Sequence, residues 1–302
     1  MKHVLVATDL SPIADAALER AIAFAARDSA KLTVAYVEPD YAATPAMSEM
    51  ESAAILEWAT AAGDGKSAVE EEVAERARRG RDLGIEATAI LRQGHPDDTI
   101  PEIATEIGAD LVVIGTHGRT GIKRFLLGSV AEHVVRRSPV STLVTRGEAT
   151  GAFRRVLVGT DFSPAADKTL RQAIALSAPG AEIDVVHVWH YPPGTWGFDA
   201  LADRSEAIGQ LRNTLTQGAA ERGAKILEQY KDCGRKLRFE LLHGPAASVL
   251  TARAETQSSD LIAVGTHGYR GFRRFLLGSI AEATVRHAPC SVLVAHAEHP
   301  EK

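Results

Sequence analysis

His3–Ala25 reads HVLVATDLSPIADAALERAIAFA, and Arg155–Ser177 reads RVLVGTDFSPAADKTLRQAIALS. Each stretch opens with a short unbroken run of Val and Leu, turns at Thr-Asp, and restarts at Ser-Pro. Unbroken apolar runs of this kind suit parallel strands covered on both faces. Ser11 and Ser163 are placed to cap a helix, and Pro12 and Pro164 tolerate its first position. Ile13, Ala17, Ala21 and Phe24 follow at helical spacing and predict one apolar face.

Working outward, the chain repeats itself again. LVVIGTHGRTGIKRFLLGSVAEHVVRRSPVSTLV, from Leu111 to Val144, returns as LIAVGTHGYRGFRRFLLGSIAEATVRHAPCSVLV from Leu261 to Val294. Asp9 recurs as Asp161 and Gly115 as Gly265, at a nearly constant offset of about 150 residues, far longer than the ~20–50 residues of a solenoid unit. The chain therefore reads as two copies of one domain, 1–147 and 153–302, joined through the polar, Gly-containing stretch RGEATGAFRR. Within the first copy LTVAYV, LVVIG and STLVT read as further strands and EATAIL as a weaker one. Strands alternating with helical patterns imply α/β domains with parallel, doubly wound sheets. Residues 38–66 and 189–210 differ most between the copies, and the second carries HYPPGTWGF, rich in turn formers and aromatics.

The 302 residues carry 34 Lys and Arg against 39 Asp and Glu, a net charge of −5. That balance argues against a nucleic-acid partner, which asks for a basic surface. It leaves room for a phosphate ligand, since backbone amides hold phosphate locally. No stretch approaches the roughly 20 apolar residues needed to cross a bilayer, so no membrane partner is expected. The N-terminal residues do not resemble a signal peptide, and a cytoplasmic location is expected. Cys233 and Cys290 are too few for a disulfide framework, and Cys290 reads as a small core residue.

The strongest chemical signal starts where the fourth strand ends: Gly115-Thr-His-Gly118, nine residues, then Gly128-Ser129 and a helix. Gly265-Thr-His-Gly268, nine residues and Gly278-Ser279 repeat it. Glycines after a strand let the backbone approach a ligand closely, and a helix start offers unpaired amides to an anion. The structural alternative is that the glycines only make turns and that Ser129-x-x-Glu132 and Ser279-x-x-Glu282 are capping boxes. Asp9 and Asp161 follow the first strand of each copy, where doubly wound sheets bind ligands. There an aspartate could accept from a ribose hydroxyl or an adenine amine, help hold a metal, or simply bond its own turn.

Several other patterns carry less. Gly63-Asp-Gly65-Lys66-Ser67 lacks the first glycine and the preceding strand of a P-loop. His117 and His267 could touch phosphate or bond the backbone. His187-x-x-His190 has no companion ligand at metal-site spacing, so no zinc site is expected. Arg119, Lys123 and Arg124, with Arg270, Arg273 and Arg274, could meet phosphates or form a solvated face.

The opening VLVATDLSP and the Gly-x-x-Gly, nine residues, Gly-Ser pattern resemble the universal stress protein family, in its tandem, ATP-binding form. The resemblance covers essentially the whole chain. It implies five-stranded parallel sheets of strand order 3-2-1-4-5, and ATP with magnesium as the ligand, with ADP or AMP as alternatives. It assigns Ala7, Thr8 and Asp9 to the adenosine, and the Val37 backbone to adenine. Ile114, Gly115, Gly118, Gly128, Ser129 and Val130 fall around ribose and phosphates. In the second copy the matching residues are Gly159, Thr160, Asp161, Val188, Val264, Gly265, Gly268, Gly278, Ser279 and Ile280. The resemblance further implies pairing of the two copies through STLVT and SVLVA, and association of tandem chains into a dimer.

The function implied is a stress-response sensor whose nucleotide occupancy changes its contacts with a protein partner of unknown identity. The alternatives are a slow ATPase or phosphotransfer enzyme, and an interaction module in which ATP is only a filler. Phosphoryl transfer needs a base and a metal clamp, and no duplicated Lys or Glu stands clearly in that role.

Overall fold

The computed structural model describes residues 1–39, 63–116, 127–147, 151–191, 205–266 and 277–296. The chain divides into two compact units, Met1–Gly151 and Ala152–Lys302. In the first, β1 (His3–Ala7), α1 (Pro12–Asp28), β2 (Lys31–Glu38), α2 (Gly63–Asp82) and β3 (Ala87–Gln93) lead to α3 (Pro96–Glu106). Then come β4 (Leu111–Gly115), α4 (Ser129–Arg137) and β5 (Ser141–Thr145). The second unit repeats the order as β6 (Phe153–Gly159), α5 (Pro164–Leu176), β7 (Ser177–Trp189), α6 (Glu206–Gln229) and β8 (Lys236–His243). It ends with α7 (Ala246–Thr256), β9 (Leu261–Gly265), α8 (Ser279–His287) and β10 (Ser291–Ala295).

Each unit holds a parallel sheet. Its order is β3-β2-β1-β4-β5 in the first unit and β8-β7-β6-β9-β10 in the second. Both are the expected 3-2-1-4-5. The chain moves outward from β1 to β3 and then jumps back to β4 on the far side of β1. Because crossovers are right-handed, that reversal puts α1 and α2 on one face and α3 and α4 on the other. The unbroken apolar runs follow from this double cover: Val4, Leu5 and Val6 are wholly buried, as are Val112 and Val113.

α1 starts where Ser-Pro predicts. The Ser11 hydroxyl accepts from the Ala14 amide (3.2 Å), and Ser163 does the same for Ala166 at the start of α5. Ala17, Ala21 and Phe24 are buried on the apolar face, but Ile13 is 39% exposed. One residue past Pro12, in the first turn of α1, Ile13 lies beyond the strand ends and faces the loop side of the unit. EATAIL, the weak candidate, falls on the edge strand β3, where only Ala87 is fully buried and the other residues are partly or wholly exposed. Where a P-loop was considered and rejected, α2 begins.

Candidate functional site

The turn after β1 is built from its own side chains. The Thr8 hydroxyl accepts from the Leu10 amide (3.0 Å), and Asp9 Oδ1 accepts from the Ser11 amide (3.1 Å) and hydroxyl (2.6 Å). These bonds hold Leu10 at φ 66°, a left-handed conformation that costs a residue with a Cβ about 1–2 kcal/mol. Thr160, Asp161 and Ser163 form the same turn, with Phe162 at φ 63°. Asp9 is therefore a turn-forming residue through one oxygen, and its other oxygen takes no hydrogen bond from a described residue. The turn aims both aspartates at the carboxyl end of the sheet, beside the reversal between β1 and β4, where such sheets have a crevice.

β2 runs past the end of β1. The Thr8 amide donates to the Ala35 carbonyl (2.9 Å), which is the last rung between the two strands. In a parallel ladder each residue turns both backbone groups to one neighbour, and alternate residues alternate sides. The Glu38 carbonyl accordingly meets the Gly94 amide on the β3 side (3.0 Å). Val37 then turns its N–H and C=O toward β1, which has already ended. Val188 occupies the same place, since Thr160 bonds the Val186 carbonyl (2.9 Å) and Gly244 bonds that of Trp189 (3.2 Å). Among the described residues each unit thus leaves one donor–acceptor edge of backbone open, suited to the rim of a planar heterocycle.

The opposite wall is a helix start. The Gly128 amide donates to the Thr116 carbonyl (2.8 Å), and Gly278 donates likewise to Thr266 (2.8 Å). These bonds pin both ends of the glycine-flanked segment. The expected capping boxes are not formed. Gly128 and Gly278 are the N-caps, no side chain caps either helix, and Ser129 and Ser279 stand one place too far along. The Gly128 and Gly278 carbonyls accept from the Glu132 and Glu282 amides (3.0 and 2.9 Å), but a glycine cap has no side-chain oxygen for the amides before them, which are placed to meet solvent or an anion. Gly115 brings its backbone close to α1: a Cβ there would lie 3.3 Å from Ile13 Cγ2.

These parts enclose a cavity of about 350 Å³ in the first unit. Ala7, Thr8, Asp9, Val37, Ile114 and Gly115 line it, as do Gly128, Ser129 and Val130. A cavity of about 220 Å³ in the second unit is lined by Gly159, Thr160, Asp161, Val188, Val264 and Gly265, together with Gly278, Ser279 and Ile280. Gly118, Gly268, His117, His267 and the six basic residues between the glycines lie outside the described residues.

Sequence reading missed one wall, the start of α3 and α7. Pro96 and Ile100 close the first cavity, and Ala246 and Leu250 the second. The signal was present in Gly94-His95-Pro96 and Gly244-Pro245, which recur after the third strand of each copy. It also passed over Tyr36 and His187 as lining residues. His187 Nδ1 bonds the Thr160 carbonyl (2.7 Å), and its ring lies 4.5 Å from that of Phe162. Because a carbonyl only accepts, Nδ1 carries the proton. Burial pushes the His187 pKa below its ordinary value, opposed by the Thr160 carbonyl, so the ring is neutral near pH 7. His190 Nδ1 bonds the Tyr191 carbonyl (2.8 Å). Among the described residues no group of three His, Cys, Asp or Glu could hold a metal ion, and no helix is long and apolar enough to cross a membrane.

Comparison with known proteins agrees with this frame. The chain is 32% identical to a curated universal stress protein of Mycobacterium tuberculosis over 97% of its own length and 96% of that protein's. A crystal structure of a universal stress protein from Archaeoglobus fulgidus shares the fold with a TM-score of 0.60 and 23% identity, covering 97% of this chain and 98% of that one. A universal stress protein solved in complex with cAMP matches 48% of this chain and 96% of its own, with 28% identity and a TM-score of 0.36. The model of the universal stress protein family matches twice, over residues 1–146 and 152–296, and the chain belongs to that family.

Proposed function

We propose that the chain binds ATP in both units and acts as a cytoplasmic stress-response regulator whose nucleotide occupancy changes its contacts with other proteins. The observation that carries this reading is the pairing, in each cavity, of an open backbone edge with a helix start capped only by glycine. Adenine would bond the Val37 or Val188 backbone, as a planar ring with both donor and acceptor requires. The ribose would lie against Asp9 or Asp161, whose carboxylates accept from hydroxyls. The phosphates would reach the amides of Ser129 and Val130, or of Ser279 and Ile280, where the helix dipole favours negative charge. Gly118 and Gly268 belong to the same proposed phosphate site. Magnesium would be held mainly by phosphate oxygens and water, as is usual for this ion.

Binding of this kind stores free energy without spending it on chemistry. Among the described residues no Lys or Glu lines either cavity to act as a base. A ligand shifts a conformational equilibrium by its differential affinity for the two states. That is the route by which occupancy would alter a partner surface or the association of chains into a dimer. Calorimetric titration of nucleotide-stripped protein with magnesium-ATP, ADP and AMP tests the reading, with an assay of released phosphate and light scattering with and without ATP. Two sites per chain, negligible turnover and a nucleotide-dependent change in association support it. Rapid turnover would replace it with the enzyme reading, and absence of binding would reduce the glycine motifs to turns and caps.

A further inference from the structure

The helices that follow the first two strands of each unit face one another across a seam, and the two seams are closed differently. In the first unit α2 presents Arg76 and Arg79. Arg76 bonds Asp15 of α1 (2.8 Å), its neighbour Glu72 (3.2 Å) and the carbonyl of left-handed Leu10 (3.3 Å). Arg79 bonds Glu19 (3.3 Å). Two cations of one helix thus meet two carboxylates of the other.

In the second unit Arg222 and Lys225 hold the same i and i+3 places on α6, and Arg222 lies 4.4 Å over the ring of Phe162, the counterpart of Leu10. Asp167 is the counterpart of Asp15, but the counterpart of Glu19 is Arg171. That single reversal of charge redistributes the seam. Arg171 takes Asp167 within its own helix, and the Tyr230 hydroxyl donates to Asp167 as well (2.7 Å). Arg222 donates Nε to the Gly218 carbonyl (3.0 Å) and meets no carboxylate, and Lys225 meets none either, among the described residues. Between the helices a groove of about 410 Å³ opens. Phe162, Leu170, Val185 and Ile226 line it beside polar Ser163 and Gln229 and beside Asp167, whose carboxylate is taken up by Arg171 and Tyr230, while Arg222 and Lys225 line it from α6.

We propose that this groove is a binding site for a small organic carboxylate with an apolar body, such as a medium-chain or aromatic acid. Its charge would sit between Arg222 and Lys225 and its body against Phe162, Leu170 and Ile226. Guanidinium and ammonium groups one helical turn apart match a carboxylate, and the guanidinium fork can bond both of its oxygens. The apolar lining favours a hydrocarbon tail over a polyphosphate or a sugar, and the volume falls in the ~300–1,000 Å³ range of small-molecule sites. The groove shares Thr160 and Ala166 with the lining of the second proposed ATP cavity, but Arg222, Lys225, Phe162, Leu170 and Ile226 line the groove alone.

Calorimetric titration of the full-length, nucleotide-free protein with octanoate tests it, with octylamine as the charge control. The expected result is one octanoate per chain, no matching site for octylamine, and affinity reduced at least about tenfold in Lys225→Gln and in Arg171→Glu. The second variant restores the acidic residue of the first seam, so it offers Lys225 a carboxylate and closes the groove without removing either cation. Far-UV circular dichroism identifies a variant that fails to fold, and the other then decides. No octanoate binding, equal binding of octylamine, or unchanged affinity in a folded variant overturns the proposal. ATP titration of the same proteins is scored separately, so loss of the nucleotide reading leaves this result intact.

Discussion

In the first unit Ala7, Tyr36 and Ile100 stand around a cavity of about 350 Å³; in the second, Gly159, His187 and Leu250 take those places and about 220 Å³ remains. The exchange of Ala7 for Gly159 removes a methyl group, yet the cavity is smaller. Leu250 Cδ1 lies 3.1 Å from where a Cβ on Gly159 would be, so the leucine stands against the place a methyl group would take. Close-packed walls follow their neighbours, so a smaller residue need not make a larger site. The Thr-Asp-x-Ser turn and the glycine-capped helix are the same in both halves, because each is fixed by local hydrogen bonds. Duplication has therefore left two copies of one frame with different walls.

The sharpest way to break that comparison is to fill the frame itself. In Gly128→Asp the new carboxylate would cap α4 and face the proposed phosphates. ATP affinity of the first half should fall about 100-fold or more, roughly 2.7 kcal/mol, with no loss of thermal stability because Asp is a better N-cap than Gly. Gly278→Asp should do the same to the second half alone, and calorimetry would register each as one site lost of two. Full stoichiometry in either variant would mean that its helix start does not hold phosphate.

The braces of the two turns come next. Arg76 is largely buried, and Arg76→Ala leaves Asp15 and the Leu10 carbonyl without their partner. It should cost about 2–3 kcal/mol in urea unfolding. Arg222→Ala removes a cation over the Phe162 ring and should cost about 1 kcal/mol or less. Equal costs would show that both seams carry load in the same way.

Ser11→Ala should cost about 1 kcal/mol, and Ser163→Ala somewhat less. The Ser11 hydroxyl serves α1 and also donates to Asp9, whereas the Ser163 bond to Ala166 is its counterpart at α5. Thermal melts of the two variants rank them.

The smallest effect concerns pH. His187 is held neutral in the fold, with its pKa below the ordinary value near 6.5, so the unfolded chain binds a proton before the folded chain does. Stability should therefore fall as pH drops below about 6.5 and level off beneath the folded pKa. The groups around the ring act in both directions: Arg222 and His190 lower the pKa, while Asp161 and the Thr160 carbonyl raise it. His187→Gln should flatten this part of the stability profile, while Tyr36→Phe in the first half should leave it alone. An unchanged profile in His187→Gln would mean that another group sets the slope.

Much of the site was legible because it is local. Asp9, Gly115 and Gly128 lie in motifs whose spacing states a strand end, a turn and a helix start, and all three line one cavity. Tyr36, Ile100, His187 and Leu250 were not legible as walls. Tyr36 and His187 reach their cavities only because β2 and β7 outrun the neighbouring strands, and Ile100 and Leu250 only because α3 and α7 begin beside them, which a recurring Gly and Pro mark as a turn but not as a wall. The alternative of capping boxes fails for a related reason. A Ser-x-x-Glu pattern records a spacing, and whether the Ser or the Gly before it is the cap depends on the bond from Gly128 back to Thr116.

The sequence by itself determined the duplication, the alternation of strand and helix, the Ser-Pro helix starts and the glycine frame, because each is written in neighbouring residues or in their exact return. Only the tertiary structure decided how wide each cavity is, which backbone edge is left open, and whether the two helices of a seam pair their charges or part. Those outcomes depend on side chains far apart in the chain meeting in space. Glu19 and Arg171 make the point, since the same place in the same fold is bonded across the seam in one half and held within its own helix in the other.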